Sequence, residues 1–316
     1  MPVDARLQAI LDAGKALGGL PIELQTVEQA RSDKTAMMER FVPMAKYAGV
    51  RAEDRTVVVD GREMVVRVYS PPGKDGLLPL VVFFHGGGWV VCTLETHDPY
   101  CRALAMEAGA RVVAVDYRLA PEHKFPAGVE DCLAVTKWAL AHAAELGGDV
   151  ERVFVAGDSA GAALATVVAL LLRDRDAAGT LAGQILLYPV TAHYDPPTAS
   201  YREMAEGYGL TRRGMMWFWD HYLNDKSEAA DFRAAPLMAT SLTGLPRAFV
   251  VTAEYDVLRD EGQAYARRLA EDGVEVTEMF AEGMNHGFAA SPNEFPFLPQ
   301  AKEMLRQVAE WIVAKR

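Results

Sequence analysis

Along this chain of 316 residues the spacing of apolar positions changes character, and each change predicts a different element. Over residues 1–50 Leu7, Ile10 and Leu11 recur at helical spacing, and Met37, Phe41, Met44 and Ala48 do so again between polar residues. The period then shortens. Thr56 to Val59 and Met64 to Tyr69 flank Asp60-Gly61, the strongest short hairpin signal, and Pro71-Pro72-Gly73 closes the unit. From Leu80 onward short continuous apolar runs predict strands buried on both faces: Leu80 to Phe84, Val112 to Val115, Val153 to Ala156, Ile185 to Leu187, Ala248 to Thr252 and Val274 to Phe280. Helical stretches fall between most of them, at Thr96 to Ala108, Gly128 to Leu146, Ala160 to Arg173 and Glu261 to Glu271. A last one runs from about Gln300 to Lys315. The alternation predicts an α/β fold: a mostly parallel sheet with helices on both faces and functional groups beyond the carboxyl ends of its strands.

One segment, Thr191 to Ala235, has no strand pattern. At its centre Met215-Met216-Trp217-Phe218-Trp219 is too continuously apolar for one helix face, so these residues are either buried all round or cover something apolar. Composition narrows the partners. Half the residues are hydrophobic, enough for a sizeable core, and 32 basic against 43 acidic residues give a net charge of −11. That balance disfavours nucleic acid and anionic membranes, which reward clustered Lys and Arg. Three cysteines, Cys92, Cys101 and Cys132, are too few and odd in number for a disulfide framework, and the expectation is a cytoplasmic protein. The first residues carry Asp4, Arg6, Asp12 and Lys15 rather than a signal-peptide core. The longest apolar stretch, Ala162 to Leu172, is about half of what spans a bilayer, so no stable membrane insertion is expected.

The chemistry concentrates at two glycine-rich turns. Gly157-Asp158-Ser159-Ala160-Gly161 lies between a predicted strand and a predicted helix, the context in which G-x-S-x-G forms a nucleophile elbow. The glycines permit a sharp turn that lifts the Ser159 hydroxyl to the mouth of the sheet, while the Ala160 N–H opens a helix and points to the same place. His85-Gly86-Gly87-Gly88-Trp89 directly follows the strand Leu80 to Phe84, and its successive glycines expose N–H donors of the kind a tetrahedral acyl-transfer intermediate needs. No phosphate-loop pattern is present. A serine nucleophile needs a base, and three histidines follow it: His193, His221 and His286. The first two lie in the strandless segment. His286 follows the strand Val274 to Phe280 by a short Gly-Met-Asn loop, where a base belongs. The acid is expected after Ala248 to Thr252, which leaves Glu254, Asp256 and Asp260, the last suited to capping the helix near Glu261.

His85-Gly86-Gly87-Gly88, Tyr117-Arg118-Leu119-Ala120-Pro121-Glu122, Gly157-Asp158-Ser159-Ala160-Gly161, Asp256-Val257-Leu258 and His286-Gly287-Phe288 together resemble the bacterial hormone-sensitive-lipase-like esterases, family IV of the α/β-hydrolases. The resemblance spans most of the chain in the family's order. It implies an α/β-hydrolase fold with an eight-stranded sheet and a helical cap. The cap would comprise residues 1–50 and an insertion at 191–235, and the core residues 51–190 and 236–316. It also implies Asp256 as the acid, and Gly87 and Gly88 as oxyanion donors beside Ala160. Trp89, Tyr188, Trp217, Phe218 and Phe288 are the candidate pocket residues. Arg118 and Glu122 are expected in polar contacts behind the site, His85 in ordering its own loop, and Cys101 as a buried thiol rather than half of a His97–Cys101 pair.

The expected function is a serine carboxylesterase acting on short to medium acyl esters through Ser159, His286 and Asp256, with a small-molecule ester as partner and no metal or organic cofactor. An arylformamidase or amidase on the same scaffold is the alternative, and a non-catalytic small-molecule receptor is a third reading. Family members are often dimers through an edge strand, so the resemblance extends to a homodimer.

Overall fold

In the computed structural model, which describes residues 2–39, 45–74, 76–174, 181–290 and 298–314, the short apolar runs become strands of one sheet. Strands β1 (Arg51–Val59) and β2 (Arg62–Ser70) form the antiparallel hairpin at Asp60-Gly61, with Val59 opposite Arg62. They are followed by β3 (Leu78–Phe84), β4 (Arg111–Val115), β5 (Gly148–Asp158), β6 (Gly183–Leu187), β7 (Ala248–Tyr255) and β8 (Val276–Asn285). The sheet order is β1-β2-β4-β3-β5-β6-β7-β8. All pairings from β4 to β8 are parallel, and β2 meets β4 antiparallel.

The continuous apolar runs are explained by burial on both faces. Leu80, Val82 and Phe84 of β3 point into one core cluster and Val81 and Phe83 into the other, as the two-residue strand period requires. The first cluster is completed by α4 (Ala127–Ala141), α5 (Ala160–Arg173) and α8 (Arg259–Glu271). The second is completed by α3 (Leu94–Ala108) and α9 (Pro299–Val313).

Boundaries shift where side chains or glycines override periodicity. Helix α4 stops at Ala141 instead of Leu146, because the chain turns through His142 to Gly147, where Gly147 has φ +71°. Strand β8 runs on to Asn285 rather than ending at Phe280: a register shift beyond Ala253 lets Tyr255 pair with Asn285. The Gly-Met-Asn stretch expected as a loop is therefore strand, and His286 follows it directly.

The N-terminal pattern yields α1 (Ala5–Ala16) and α2 (Val27–Glu39). Asp4 caps α1 by accepting the Arg6 N–H at 2.8 Å, and Leu7 is buried in the core cluster of α3 and α9. Phe41, Met44 and the expected helix end at Lys315 lie outside the described residues, while Ala48 sits in a turn. Arg31 of α2 reaches the core, donating to the Val90 carbonyl at 2.9 Å, to the Ala120 carbonyl at 2.9 Å and to both oxygens of Glu122.

Residues 191–235 contain α6 (Ala199–Glu203) and α7 (Arg212–Tyr222), with no strand among the described residues. Helix α7 packs on the 3-10 turn Ile22–Leu24 from the N-terminal segment. The insertion is fastened to α8. Glu261, fully buried, accepts the Thr191 N–H at 2.7 Å and the Ala192 N–H at 3.1 Å, and Asp260 accepts the Ser200 N–H at 2.7 Å. Asp260 thus lies inside the first turn of α8, Leu258 stands at the N-cap, and the carboxylate bonds the insertion instead of capping its own helix.

Burial is the largest influence on Glu261 and raises its carboxyl to about 8. A raised carboxyl pKa means the folded chain holds its proton more tightly than the unfolded chain. Stability is fullest below the ordinary value of 4.5 and declines as pH rises from there to about 8. Glu261→Gln keeps the acceptor for Thr191 and removes the charge, so its Tm should exceed that of the parent by on the order of several °C at pH 8.5 and by less at pH 5. Thermal melts across that range that stay parallel would refute the assignment.

Candidate active site

The elbow is made by two close approaches. A Cβ on Gly161 would lie against the Phe84 carbonyl oxygen and 2.7 Å from that of His85, and one on Gly157 would strike the Gly161 backbone. Glycine at both positions lets the start of α5 pass against β3, and the turn between β5 and α5 closes tightly. Ser159 takes φ 54°, ψ −119°, strained for a residue with a side chain. Its N–H donates to the Leu187 carbonyl at 2.8 Å, and its carbonyl accepts from Ala162, Ala163 and Val190, so the surroundings hold the conformation.

The structure brings Ser159, His286 and Asp256 together. The His286 Nε2 is 2.9 Å from the Ser159 Oγ, and its Nδ1 is 2.8 Å from the Asp256 Oδ2. Asp256 is 1% exposed, and its other oxygen accepts the Leu258 N–H at 2.9 Å. The Tyr188 ring meets the His286 ring edge-on at 4.7 Å. The alternatives lie elsewhere. Glu254 accepts the Gly283 N–H at 2.7 Å, His193 contacts the Asp195 backbone, and the His221 Nδ1 contacts the Trp217 carbonyl.

The glycine-rich loop lies against the elbow. Gly86 donates its N–H to the Asp158 Oδ1 at 2.8 Å, tying the residue before Gly87 to the residue before Ser159. Val90 and Val91 donate to the Gly87 carbonyl, which folds the loop, and Gly87 and Gly88 take φ +105° and +57°. Among the described residues, the N–H groups of Gly87, Gly88 and Ala160 donate to no protein acceptor. The Phe218 ring of α7 lies on Gly88, where any Cβ would collide with it.

The other candidate pocket residues are placed unequally. Trp89 is buried, stacked on Tyr222 at 4.0 Å and tilted against Trp219 at 4.8 Å. Trp217 is partly buried and meets Phe218 edge-on. Phe288 is fully buried in the core cluster of α3 and α9, 6.0 Å from Tyr188. Behind the site, Arg118 forks onto Asp131 and Glu122 pairs with Arg31.

His85 orders its own loop. Its Nδ1 is 2.7 Å from the Gly86 carbonyl, and Tyr117 donates to the His85 carbonyl at 2.7 Å. Burial, reinforced by the neighbouring His97, drives the His85 pKa down to about 4. Cys101 is buried and its thiol is pushed well up by burial. His97 contacts Asp158 instead, with Nε2 3.1 Å from Oδ1, a partnership the sequence reading missed. Burial raises the Asp158 carboxyl, but His97 and the Gly86 N–H outweigh it, and the pKa falls below the ordinary value. Among the described residues no group of three His, Cys, Asp or Glu side chains could hold a metal ion, and no helix is long and apolar enough to cross a membrane.

A parallel-centred sheet with a serine on a strained strand-to-helix turn, beside a histidine paired to a buried aspartate, defines an α/β-hydrolase. The alpha/beta hydrolase fold family profile matches residues 81–290. Relatives include carboxylic ester hydrolase LipN of Mycobacterium tuberculosis, 39% identical over 90% of this chain and 77% of its own length, and carboxylesterase NlhH of the same species, 39% identical over 90% and 88%. Among solved structures, a thermostable esterase from Pseudomonas putida superposes with a TM-score of 0.93 at 38% identity, covering 98% of this chain and 97% of that one. The chain belongs to the hormone-sensitive-lipase-like esterase family, family IV of the α/β-hydrolases, and is a carboxylic ester hydrolase.

Gly161→Ala would force α5 away from β3 at the elbow. It should destabilise the fold by about 3 kcal/mol and abolish activity, as measured by urea unfolding and ester hydrolysis. An unchanged urea midpoint would show that the close approach is not needed.

Proposed function

We propose that the protein is a serine carboxylesterase for short to medium acyl esters, with Ser159 as nucleophile, His286 as base and Asp256 as its orienting acid. The observation that carries this reading is the unbroken contact series from Ser159 Oγ through both nitrogens of His286 to Asp256, beside N–H groups with no acceptor among the described residues. Ser159 Oγ attacks the ester carbonyl as its proton passes to His286 Nε2. Gly87, Gly88 and Ala160 donate to the oxyanion. On collapse of the intermediate the carbon–oxygen bond breaks, His286 returns the proton to the departing alcohol, and an acyl-Ser159 remains. Water, deprotonated by His286, then releases the acid. Asp256 holds the proton on Nδ1 and stabilises the imidazolium.

The N-terminal segment and residues 191–235 together form the cap. The packing of α7 on Ile22–Leu24 and the placing of Phe218 over Gly88 support this, and they make the cover over the oxyanion donors apolar. An apolar cover favours an acyl chain over a charged substrate. The free cysteines, two of them buried, fit a reducing cytoplasm.

Hydrolysis of p-nitrophenyl esters from acetate to palmitate tests the reading, with a matched p-nitroanilide as the amide arm. Activity should peak at short to medium chains, exceed the anilide rate, and fall by about 10⁴-fold or more in Ser159→Ala. Undiminished turnover in that variant would remove Ser159 from the mechanism, and a faster anilide would make the protein an amidase.

A further inference from the structure

Among the buried ionisable side chains that adjoin the site without a part in the reaction proposed above are Asp158, 6% exposed, and His97, 3% exposed. Asp158 Oδ1 accepts the Gly86 N–H at 2.8 Å and lies 3.1 Å from His97 Nε2. A buried carboxylate next to Ser159 is an awkward neighbour for a reaction that builds negative charge on the substrate oxygen. What faces it therefore matters.

The contacts of Thr96 bear on how the His97 ring is bonded. Its Oγ1 donates to the Thr93 carbonyl at 2.8 Å and accepts the Thr93 N–H at 3.0 Å. The same oxygen is 2.8 Å from His97 Nδ1. A hydroxyl has one proton and two lone pairs, so with its proton on Thr93 it can only accept from Nδ1. Both ring nitrogens of His97 thus face oxygen atoms, Nδ1 that of Thr96 and Nε2 that of Asp158. His85, whose ring centroid is 5.5 Å away, is its complement: Nδ1–H points to the Gly86 carbonyl, and Nε2 is buried with no partner among the described residues, which suits a neutral ring.

We propose that His97 is a positioning residue for ester hydrolysis: its positive charge balances Asp158, so that this carboxylate tethers the Gly86–Gly88 loop without opposing the oxyanion. The inference rests on the acyl-transfer reading above. Asp158 does the holding, and there is no room for rearrangement, because a Cβ on Gly86 would already collide with its carboxylate. Removing His97 leaves a buried, unbalanced negative charge directly before Ser159. In the variant that charge opposes the oxyanion that forms beside it.

The test compares His97→Gln with His97→Gln/Asp158→Asn on p-nitrophenyl butyrate. Substrate binding does not use these groups, so the first variant should lose about 10- to 100-fold in kcat with KM within about threefold. The second removes the unbalanced charge but keeps an oxygen for Gly86, and should recover about tenfold in kcat. A double variant no faster than the single one, or a single variant with wild-type kcat, would overturn the proposal. Should His97→Gln fail to fold, His97→Gln/Asp158→Asn is set against His97→Gln/Asp158→Ala, which lacks the oxygen. The asparagine form should be faster by about tenfold, and equal rates would overturn the tether. Labelling of the wild type at Ser159 by a fluorophosphonate, done first, separates the two levels. Without labelling the acyl-transfer reading falls and this one with it, whereas labelling followed by an unresponsive His97 series overturns this one alone.

Discussion

The rest of the site depends on how closely α5 passes the end of β3. Gly161 lies against the carbonyls of Phe84 and His85, and Gly157 against Gly161, with no space for a methyl group at either position. That contact sets several things at once. It bends the chain so that Ser159 adopts its positive φ, it starts a helix whose first N–H has no acceptor among the described residues, and it brings the glycine-rich loop leaving β3 alongside the serine. Parallel pairing of β3 with β5, Phe84 opposite Gly157, carries the same register into the sheet. The candidate nucleophile and the candidate oxyanion donors thus come from adjacent strand ends, where an open α/β sheet gathers its functional groups.

The glycine-rich loop is the element most in need of restraint, since glycines cost the most conformational entropy to order. It is held from several directions by different forces. Asp158 binds it through a charge-assisted hydrogen bond, Tyr117 through its hydroxyl to the His85 carbonyl, and Phe218 by lying on Gly88. Trp89, at φ 61°, is wedged between the loop and α7 by its stack on Tyr222. Arg31 of α2 adds a bond to the Val90 carbonyl. N–H groups held in place beforehand need no organising when a charge develops beside them, which is what preorganised donors contribute to acyl transfer in general.

Much of this was legible because the signals were local. Strand runs such as Leu80 to Phe84, the Asp60-Gly61 hairpin and the glycines around Ser159 each encode their own geometry. What the sequence concealed depended on contacts between distant segments. The pairing of Tyr255 with Asn285 extends β8 to His286, and no window of residues near Phe280 could reveal it. Asp260 satisfied the pattern for a helix cap, yet its oxygen was claimed by Ser200, some sixty residues earlier in the chain. His97 invited pairing with Cys101 one helical turn away, but its partner is Asp158, which the fold delivers through the parallel β3–β5 contact. The aromatic run in α7 was ambiguous for a simpler reason. Trp219 is buried in the core while Trp217 is only partly covered, and periodicity cannot separate the two within one turn.

Several joints between the insertion and the core gather near Asp256 and His286. Ser200 donates to the Val257 carbonyl and receives Asp260, Thr191 and Ala192 bond to Glu261, and the Tyr208 carbonyl accepts from Asn285. Every one of these core partners lies within a few residues of Asp256 or His286. Other joints are the ring stack of Trp89 on Tyr222 at the glycine-rich loop and the bonds of Lys124 and Phe125 to residues 220–224. The segment over the site is therefore fastened to the very loops that carry the candidate acid, base and oxyanion donors. Displacement of α7 or α6 must be felt at those loops, because the connecting groups are buried and closely packed and cannot absorb it by sliding. On this arrangement the placement of the insertion and the placement of the candidate reacting groups are one mechanical property of the fold.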